Sequence, residues 1–455
     1  MRYLGERHGL AAENARLVVE LVQRFYLLLF LASRLLWKCY IACSCKWRLR
    51  GIYPVPKLGA RRSMNHRRRP GPTSTPPLLL NPSLERGGAY PLLRLVERRR
   101  EVEERGIELY DFGTGDPREP TDPKIRQALI DGVAEVSQYP TTPGKEKLRE
   151  AFCAWMSRRH RVALDPDTDV LPATGSKEAI FHAPLAFLHP SHGRRGVAYG
   201  TPGYPVYERG SLFAGGEPLP VKLKTEDDFL LETEDVDPEK GRILWINYPH
   251  NPTGVSATYG YLEKVAAFCH EHDILLFSDE CYIDLYTGEP PPSILEITRE
   301  RTIAFCSLSK RSGMTGYRSA MMAGDPELIA ALKKLRPSIG VATQSFVQDA
   351  AAVAWGDEEH VEKRRRTFGE KRSLFVDFFE RRKLDFLPTK ASIYLWVAVP
   401  GGDDEAYSLR LLEEGIVVAP GRSFGPGGEG YIRIALVPGL EECRRAIERW
   451  ESVIR

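Results

Sequence analysis

Ser307-Leu-Ser-Lys310-Arg-Ser-Gly-Met-Thr-Gly-Tyr-Arg318 is the stretch from which the rest of this chain is read. Ile303-Ala-Phe-Cys306 precedes it and has the apolar character of a short buried strand. Lys310 therefore leaves a strand end for a loop that carries Gly313 and Gly316. Most other lysines lie on charged helical faces. An amine so placed can form a Schiff base with a carbonyl. Ser307, Ser309 and Arg318 supply two hydroxyls and a permanently charged planar fork, a donor set suited to a phosphate. A plain basic surface loop has the same letters, so the remaining chain must decide.

The chain has 455 residues, enough for two or three domains and a large core. It is 42% hydrophobic and 27% charged, ordinary values for a globular protein. The net charge of +3 hides an asymmetry. Residues 1–80 hold 15 Lys and Arg against 3 Asp and Glu, which leaves 49 against 58 over the rest. A mildly acidic body thus follows a basic appendage. The eight cysteines are scattered without paired C-x-x-C spacing, which argues against a metal site or a disulfide framework and fits a reducing cytoplasm.

The apolar run Tyr26-Leu-Leu-Leu-Phe-Leu-Ala32 falls short of the roughly 20 residues a membrane span needs. Arg24, Arg34 and Lys38 flank it, so an interfacial helix with snorkelling cations is one reading, without firm membrane association. A cleavable signal is poorly matched. Residues 51–80 are rich in Pro, Arg and Ser and read as a linker. A third reading starts the working chain at Met64.

From residue 92 to 104 the pattern predicts a charged amphipathic helix, and Asp111-Phe-Gly-Thr-Gly115-Asp-Pro117 a strand running into a turn. Helices are expected over 145–159, 174–182 and 261–272, and strands over 196–199, 242–247 and 274–277. Such alternation implies a mainly parallel sheet flanked by helices, with ligands beyond the carboxyl ends of its strands. After Pro337 the pattern becomes a long charged helical stretch to 383, then strands near 393–397, 416–419 and 431–436. The expected organisation is an extension and linker (1–80), an N-terminal arm with part of a small domain (81–120), a large domain (121–345) and a small α+β C-terminal domain (346–455).

Further motifs fall at strand ends. Gly175-Ser176-Lys177 at a helix start can cradle a phosphate, or merely cap the helix. Tyr204, in Pro202-Gly-Tyr204-Pro-Val-Tyr207, can stack on a flat ring or sit in a surface turn. Asn251, in Asn247-Tyr-Pro-His-Asn251-Pro-Thr-Gly254, can donate to a ring oxygen. Asp279, in Asp279-Glu-Cys-Tyr282, ends an apolar strand, where an unpaired acid is costly. A protonated pyridine nitrogen is a fitting partner for it, with Tyr282 on the ring hydroxyl. Arg433 lies inside the apolar strand Tyr431–Leu436 and calls for a carboxylate, from substrate or from protein.

Together, in this order, these motifs resemble the class I/II aminotransferases, of fold type I among pyridoxal-phosphate enzymes, over residues 81–454. The resemblance implies an α/β fold: a large domain whose mostly parallel sheet is flanked by helices, plus a smaller α+β domain. It implies the cofactor pyridoxal 5'-phosphate and no metal. Lys310 becomes the Schiff-base lysine and proton carrier, Asp279 the partner of the pyridine nitrogen, and Asn251 and Tyr282 contacts of the ring oxygen. Tyr204 stacks on the ring. Gly175, Ser176, Lys177, Ser307 and Arg318 surround the phosphate. Tyr139, in Gln138-Tyr139-Pro-Thr-Thr-Pro-Gly144, matches a tyrosine that reaches the phosphate of a neighbouring subunit, which implies a homodimer. Gly115 and Arg433 hold the substrate α-carboxylate. Tyr204 stands where some members have Trp, and residues 1–80 have no counterpart.

Within the family the Lys310 and Asn251 stretches look most like succinyldiaminopimelate transaminases of lysine biosynthesis, with LL-diaminopimelate and aspartate- or alanine-type enzymes as alternatives. The expected partners are an amino acid and a 2-oxo acid, glutamate and 2-oxoglutarate among them, and no nucleic acid; the readers of the distal group of the substrate are expected in loops around Ser392–Tyr394 and Arg422–Gly428. A pyridoxal-phosphate-domain transcription regulator is a remote alternative, because residues 1–80 lack two compact helices joined by a short turn.

Overall fold

The computed structural model describes residues 79–86 and 93–454. The expectations for the basic segment, its apolar run, its linker and Met64 lie outside the described residues.

Among the described residues twelve strands build three sheets. In chain order they are β1 (Tyr110–Asp111), β2 (Val170–Ala173), β3 (Gly196–Thr201), β4 (Glu217–Lys222), β5 (Gly241–Asn247), β6 (Leu275–Asp279), β7 (Thr302–Ser307), β8 (Ala320–Gly324), β9 (Tyr394–Ala398), β10 (Ile416–Val417), β11 (Ala419–Pro420) and β12 (Tyr431–Ala435). The main sheet has the order β2-β8-β7-β6-β5-β3-β4. Strands β7, β6, β5, β3 and β4 run parallel, and β8 is antiparallel to both its neighbours. Pro218 and Pro220 fall in β4, the edge strand, where a missing N–H costs least.

Both faces of this sheet are apolar, as expected of parallel strands covered by helices on either side. Ile243, Trp245, Leu275, Phe277, Ile303 and Phe305 face one core. Leu244, Ile246, Leu276, Ala304 and Cys306 alternate with them and face the other, which also holds Phe152, Trp155 and Trp355. The helix Ser345–Gly356 contributes Ala350, Ala351, Ala354 and Trp355 to that second core.

The antiparallel sheet β11-β12-β9 has a core of its own. Ile393, Leu395, Val397, Ile432 and Ile434 pack there with Phe375, Phe378, Phe379 and Trp450. The last four come from the long helix Glu359–Arg382 and the helix Leu440–Val453. The two-stranded β1–β10 pair joins residue 110 to residue 416. The helical stretch expected after Pro337 up to residue 383 is two helices, Ser345–Gly356 and Glu359–Arg382, rather than one. Pro337 itself lies inside the preceding helix, Pro326–Ile339, which Gly340 ends with a φ of 76°.

This topology gathers the motifs. β3, β5, β6 and β7 are neighbours with parallel sense, so Thr201, Asn247, Asp279 and Ser307 end on one edge of the sheet. β2 ends there too, because it is antiparallel to β8, and β8 begins there just after Arg318. Asn247 pairs directly with Asp279 in the β5–β6 register.

Candidate active site

At that edge lies a cavity of about 370 Å³. Gly115, Ser176, Lys177, Tyr204, Asn251, Asp279, Tyr282, Ser307, Lys310, Arg318 and Arg433 all line it. Gly175 stands just behind: its φ is +90°, and a Cβ there would collide with the Arg318 guanidinium. Only glycine keeps both that backbone conformation and the arginine's position. Tyr139 is not among the lining residues of its own chain's cavity and is fully exposed.

Lys310 does not lie in an open loop. The residues after β7 coil into the single helical turn Leu308–Arg311, started by Ser307, whose hydroxyl accepts from Ser309 N at 3.2 Å. The next residue anchors the turn. Arg311 is buried and donates from Nε to Asp284 Oδ2 at 2.6 Å and from Nη1 to Ala354 O at 2.6 Å. Its guanidinium lies 5.0 Å from the centre of the Trp355 ring. Held this way, Lys310 donates from Nζ to Gly115 O. Burial lowers its amine to a pKa of about 8, with the charge of Asp116 acting in the opposite direction.

Asp279 is 4% exposed, and burial raises its carboxyl above the usual range. Hydrogen bonds work against that rise: Tyr207 Oη donates to Oδ2 at 2.8 Å and Cys281 N donates to Oδ1 at 3.2 Å. Asn247 Nδ2 donates to Asp279 O at 2.8 Å, while its Oδ1 accepts from Asn251 N at 2.9 Å. The neighbouring acid is an anchor. Glu280 accepts from Ser278 Oγ, Ser293 Oγ and Ile294 N at 3.0, 2.7 and 2.8 Å, which ties the Asp279–Tyr282 turn to the next loop.

Arg433 is buried in β12 and donates from Nη1 to Asn251 Oδ1 at 2.8 Å and from Nη2 to Gly113 O at 2.7 Å. Because Oδ1 accepts from a guanidinium, the Asn251 group left to donate is Nδ2. Buried Arg433 Nε has no hydrogen-bond partner. The guanidinium lies 4.3 Å from the Tyr394 ring centre and 4.6 Å from that of Phe424. Arg318 has a left-handed φ of 56° and is steadied by Nη1 donating to Thr315 O at 2.8 Å.

The cavity therefore offers a cation at each of two places, a buried acid between strand ends, and an amine of lowered basicity. A flat, phosphorylated aldehyde fits that donor set. For such a group Arg318 would face the phosphate, Asp279 a protonated ring nitrogen, and Lys310 the aldehyde. The buried guanidinium with an unpaired Nε fits the carboxylate of an amino acid.

The sequence assigns no role to Tyr207 or Asn247, although both lie in motifs already singled out and their position at a strand end was the available signal. Tyr394 and Phe424 fall in the stretches 392–394 and 422–428, expected to read the distal group of the substrate; both line the cavity, Tyr394 from the start of β9 and Phe424 from a short turn.

The sequence profile of the family aminotransferase class I and II matches residues 107–449. The chain belongs to that family. Its members are pyridoxal-phosphate-dependent transaminases of fold type I. The LL-diaminopimelate aminotransferase of Aquifex aeolicus (strain VF5) is 39% identical over 375 residues, 80% of this chain and 96% of that protein. The crystal structure of an aminotransferase from Neisseria meningitidis Z2491 superposes with a TM-score of 0.78 at 31% identity, covering 83% of this chain and all of that one. A probable N-succinyldiaminopimelate aminotransferase from Thermus thermophilus superposes with a TM-score of 0.75 at 30% identity, covering 80% and 100%. This aminotransferase has, among its described residues, no helix long and apolar enough to cross a membrane.

Proposed function

We propose that this aminotransferase moves the amino group of LL-diaminopimelate, or of a close relative of it, to 2-oxoglutarate, within lysine biosynthesis. For the reaction class, the observation that carries the reading is the convergence of Lys310, Asp279, Arg318 and Arg433 on one cavity. For the substrate, support comes from the 39% identity to an LL-diaminopimelate aminotransferase over nearly all of that protein's length.

When bound, pyridoxal phosphate supplies an aldehyde for the amino group and a ring that accepts the electron pair left at the substrate Cα. With it bound, Lys310 would hold the aldehyde, and its Nζ, once freed by the substrate amine, would carry the proton at the substrate Cα. Asp279 would keep a proton on the ring nitrogen. Asn251 Nδ2 and the Tyr282 hydroxyl would donate to the ring oxygen, and Tyr204 would pack on the ring. Gly175, Ser176, Lys177, Ser307 and Arg318 would surround the phosphate, with Tyr139 of a second copy of this chain in a homodimer. Gly115 and Arg433 would hold the α-carboxylate. A cytoplasmic enzyme fits the free Cys153, Cys269, Cys281, Cys306 and Cys443.

N-succinyldiaminopimelate is the second reading, favoured by the likeness to the Thermus thermophilus structure. Glutamate formation from 2-oxoglutarate, assayed with LL-diaminopimelate, its N-succinyl derivative, aspartate and alanine, separates the readings. Preference for aspartate or alanine overturns both.

A further inference from the structure

We propose that Tyr394 is a second tyrosine of the reaction centre, whose hydroxyl donates to Tyr282 and whose ring supports Arg433. This inference rests on the roles proposed for Tyr282 and Arg433.

Tyr282 and Tyr394 place their hydroxyl oxygens 2.9 Å apart. Both side chains are buried, and their ring centres are 5.3 Å apart. One proton lies between two such oxygens, so one hydroxyl donates to the other and the acceptor's own proton is free to point elsewhere. If Tyr282 donates to the cofactor's ring oxygen, Tyr394 is the donor within the pair. A hydroxyl that accepts one hydrogen bond becomes a stronger donor in its next one. Tyr394 thereby strengthens the bond from Tyr282 to the ring oxygen.

The same side chain reaches the two groups proposed to hold the carboxylate. In the antiparallel β9–β12 register Arg433 pairs with Trp396, which puts Tyr394 on the same face as its diagonal neighbour. The Arg433 guanidinium rests 4.3 Å from the Tyr394 ring centre. On the loop side, a Cβ at Gly115 would run into the Tyr394 hydroxyl, so Gly115 is the residue that leaves this hydroxyl its place. The charged and titratable groups around the pair are Asp279, Cys281, Lys310 and Arg433, with Arg318 and Asp116 acting on Lys310. Tyr394→Phe alters none of them.

The two parts of Tyr394 predict different losses. A donor on the ring oxygen spreads its negative charge and lowers the proton affinity of the adjoining nitrogen held by Lys310. Tyr394→Phe weakens that donor and keeps the ring under Arg433. The pH midpoint of the visible absorbance change of the cofactor-loaded enzyme should rise by roughly half a unit. Its kcat should fall while KM for the amino donor holds. Tyr394→Leu should raise that KM as well, because the ring is gone. In a double-mutant cycle, adding Tyr394→Phe to Tyr282→Phe should move the midpoint no further, since both act through one oxygen. A Tyr394→Phe enzyme with an unmoved midpoint and a lowered Tm would reduce Tyr394 to packing and overturn the proposal. Additive shifts in the double variant would overturn the coupling. A wild-type enzyme that shows no such absorbance would remove the reading of Lys310 itself, and this inference with it.

Discussion

The Tyr207 hydroxyl donates to Asp279 Oδ2 at 2.8 Å inside a wholly buried shell. Tyr207 stacks on Trp245, with ring centres 5.0 Å apart and planes 23° apart, so the donor is aimed by the core of the sheet. Burial drives the Asp279 carboxyl up, and the bonds from Cys281 and Tyr207 hold it down. Tyr207→Phe should therefore leave the aspartate less fully ionised. A hydrogen bond to a charged group is worth about 1.5–3 kcal/mol, so kcat should fall roughly ten- to a hundredfold. Steady-state kinetics beside a thermal melt check this: an unchanged kcat in a folded variant would show that Tyr207 does not tune the acid.

The amine of Lys310 titrates near pH 8 because burial disfavours its charged form, and Asp116 opposes that shift. Only the neutral amine attacks an aldehyde. Capture of added pyridoxal phosphate by the apoenzyme should accelerate about tenfold per pH unit and level off near 8, whereas an ordinary lysine would keep accelerating towards ~10.4. Asp116→Asn should move the bend to lower pH. Stopped-flow absorbance across pH 6–10 reads it, and a rate still climbing at pH 10 refutes the lowered basicity.

Glu178 binds the turn before the helix Ser176–His182 to the helix Pro326–Ile339. It accepts from Thr174 N at 3.0 Å, Thr174 Oγ1 at 2.8 Å and Arg336 Nη1 at 2.6 Å, and pairs with His182 Nδ1 at 3.0 Å. Burial raises its carboxyl, but the bonds from His182 and Arg336 outweigh this and bring it to about 2. The folded value lies below the unfolded one, so the stabilisation is present above about pH 4.3 and is lost as the pH falls towards 2. Glu178→Gln should cost ~1–3 kcal/mol at pH 7. The gap to wild type should narrow below pH 4, measured by urea midpoints. A gap independent of pH would exclude the ionic contribution.

Tyr139 is fully exposed, beyond the described cavity of its own chain. If it serves a second copy, Lys310→Ala and Tyr139→Ala are each defective alone yet complement each other. In a mixed dimer one of two sites has both residues, so an equal mixture that exchanges subunits should recover about a quarter of wild-type sites. A mixture no better than its components would mean that each chain works with its own tyrosine or with none.

Much of the site could be read from letters because its residues stand at strand ends. Asp279 after Leu275-Leu-Phe-Ser and Ser307 after Thr302-Ile-Ala-Phe-Cys are polar residues where an apolar run stops, and the parallel sheet turns each stop into a neighbour of the next. Arg433 was visible for the opposite reason, a charge within an apolar strand. Tyr394 was legible only as part of a stretch expected to read the distal group of the substrate; its partners Tyr282 and Gly115 meet it only through folding. Element ends shifted by one or two residues, and Lys310 proved to sit on a helical turn because the buried Arg311–Asp284 pair draws the chain inward.

One guanidinium ties together three distant parts of the chain. Arg433 donates across 182 residues to Asn251 and across 320 residues to Gly113. During synthesis Asn251, Asp279 and Lys310 are all made before Arg433 leaves the ribosome. With the roles proposed above, the nascent chain makes its cofactor groups first and its substrate anchor late.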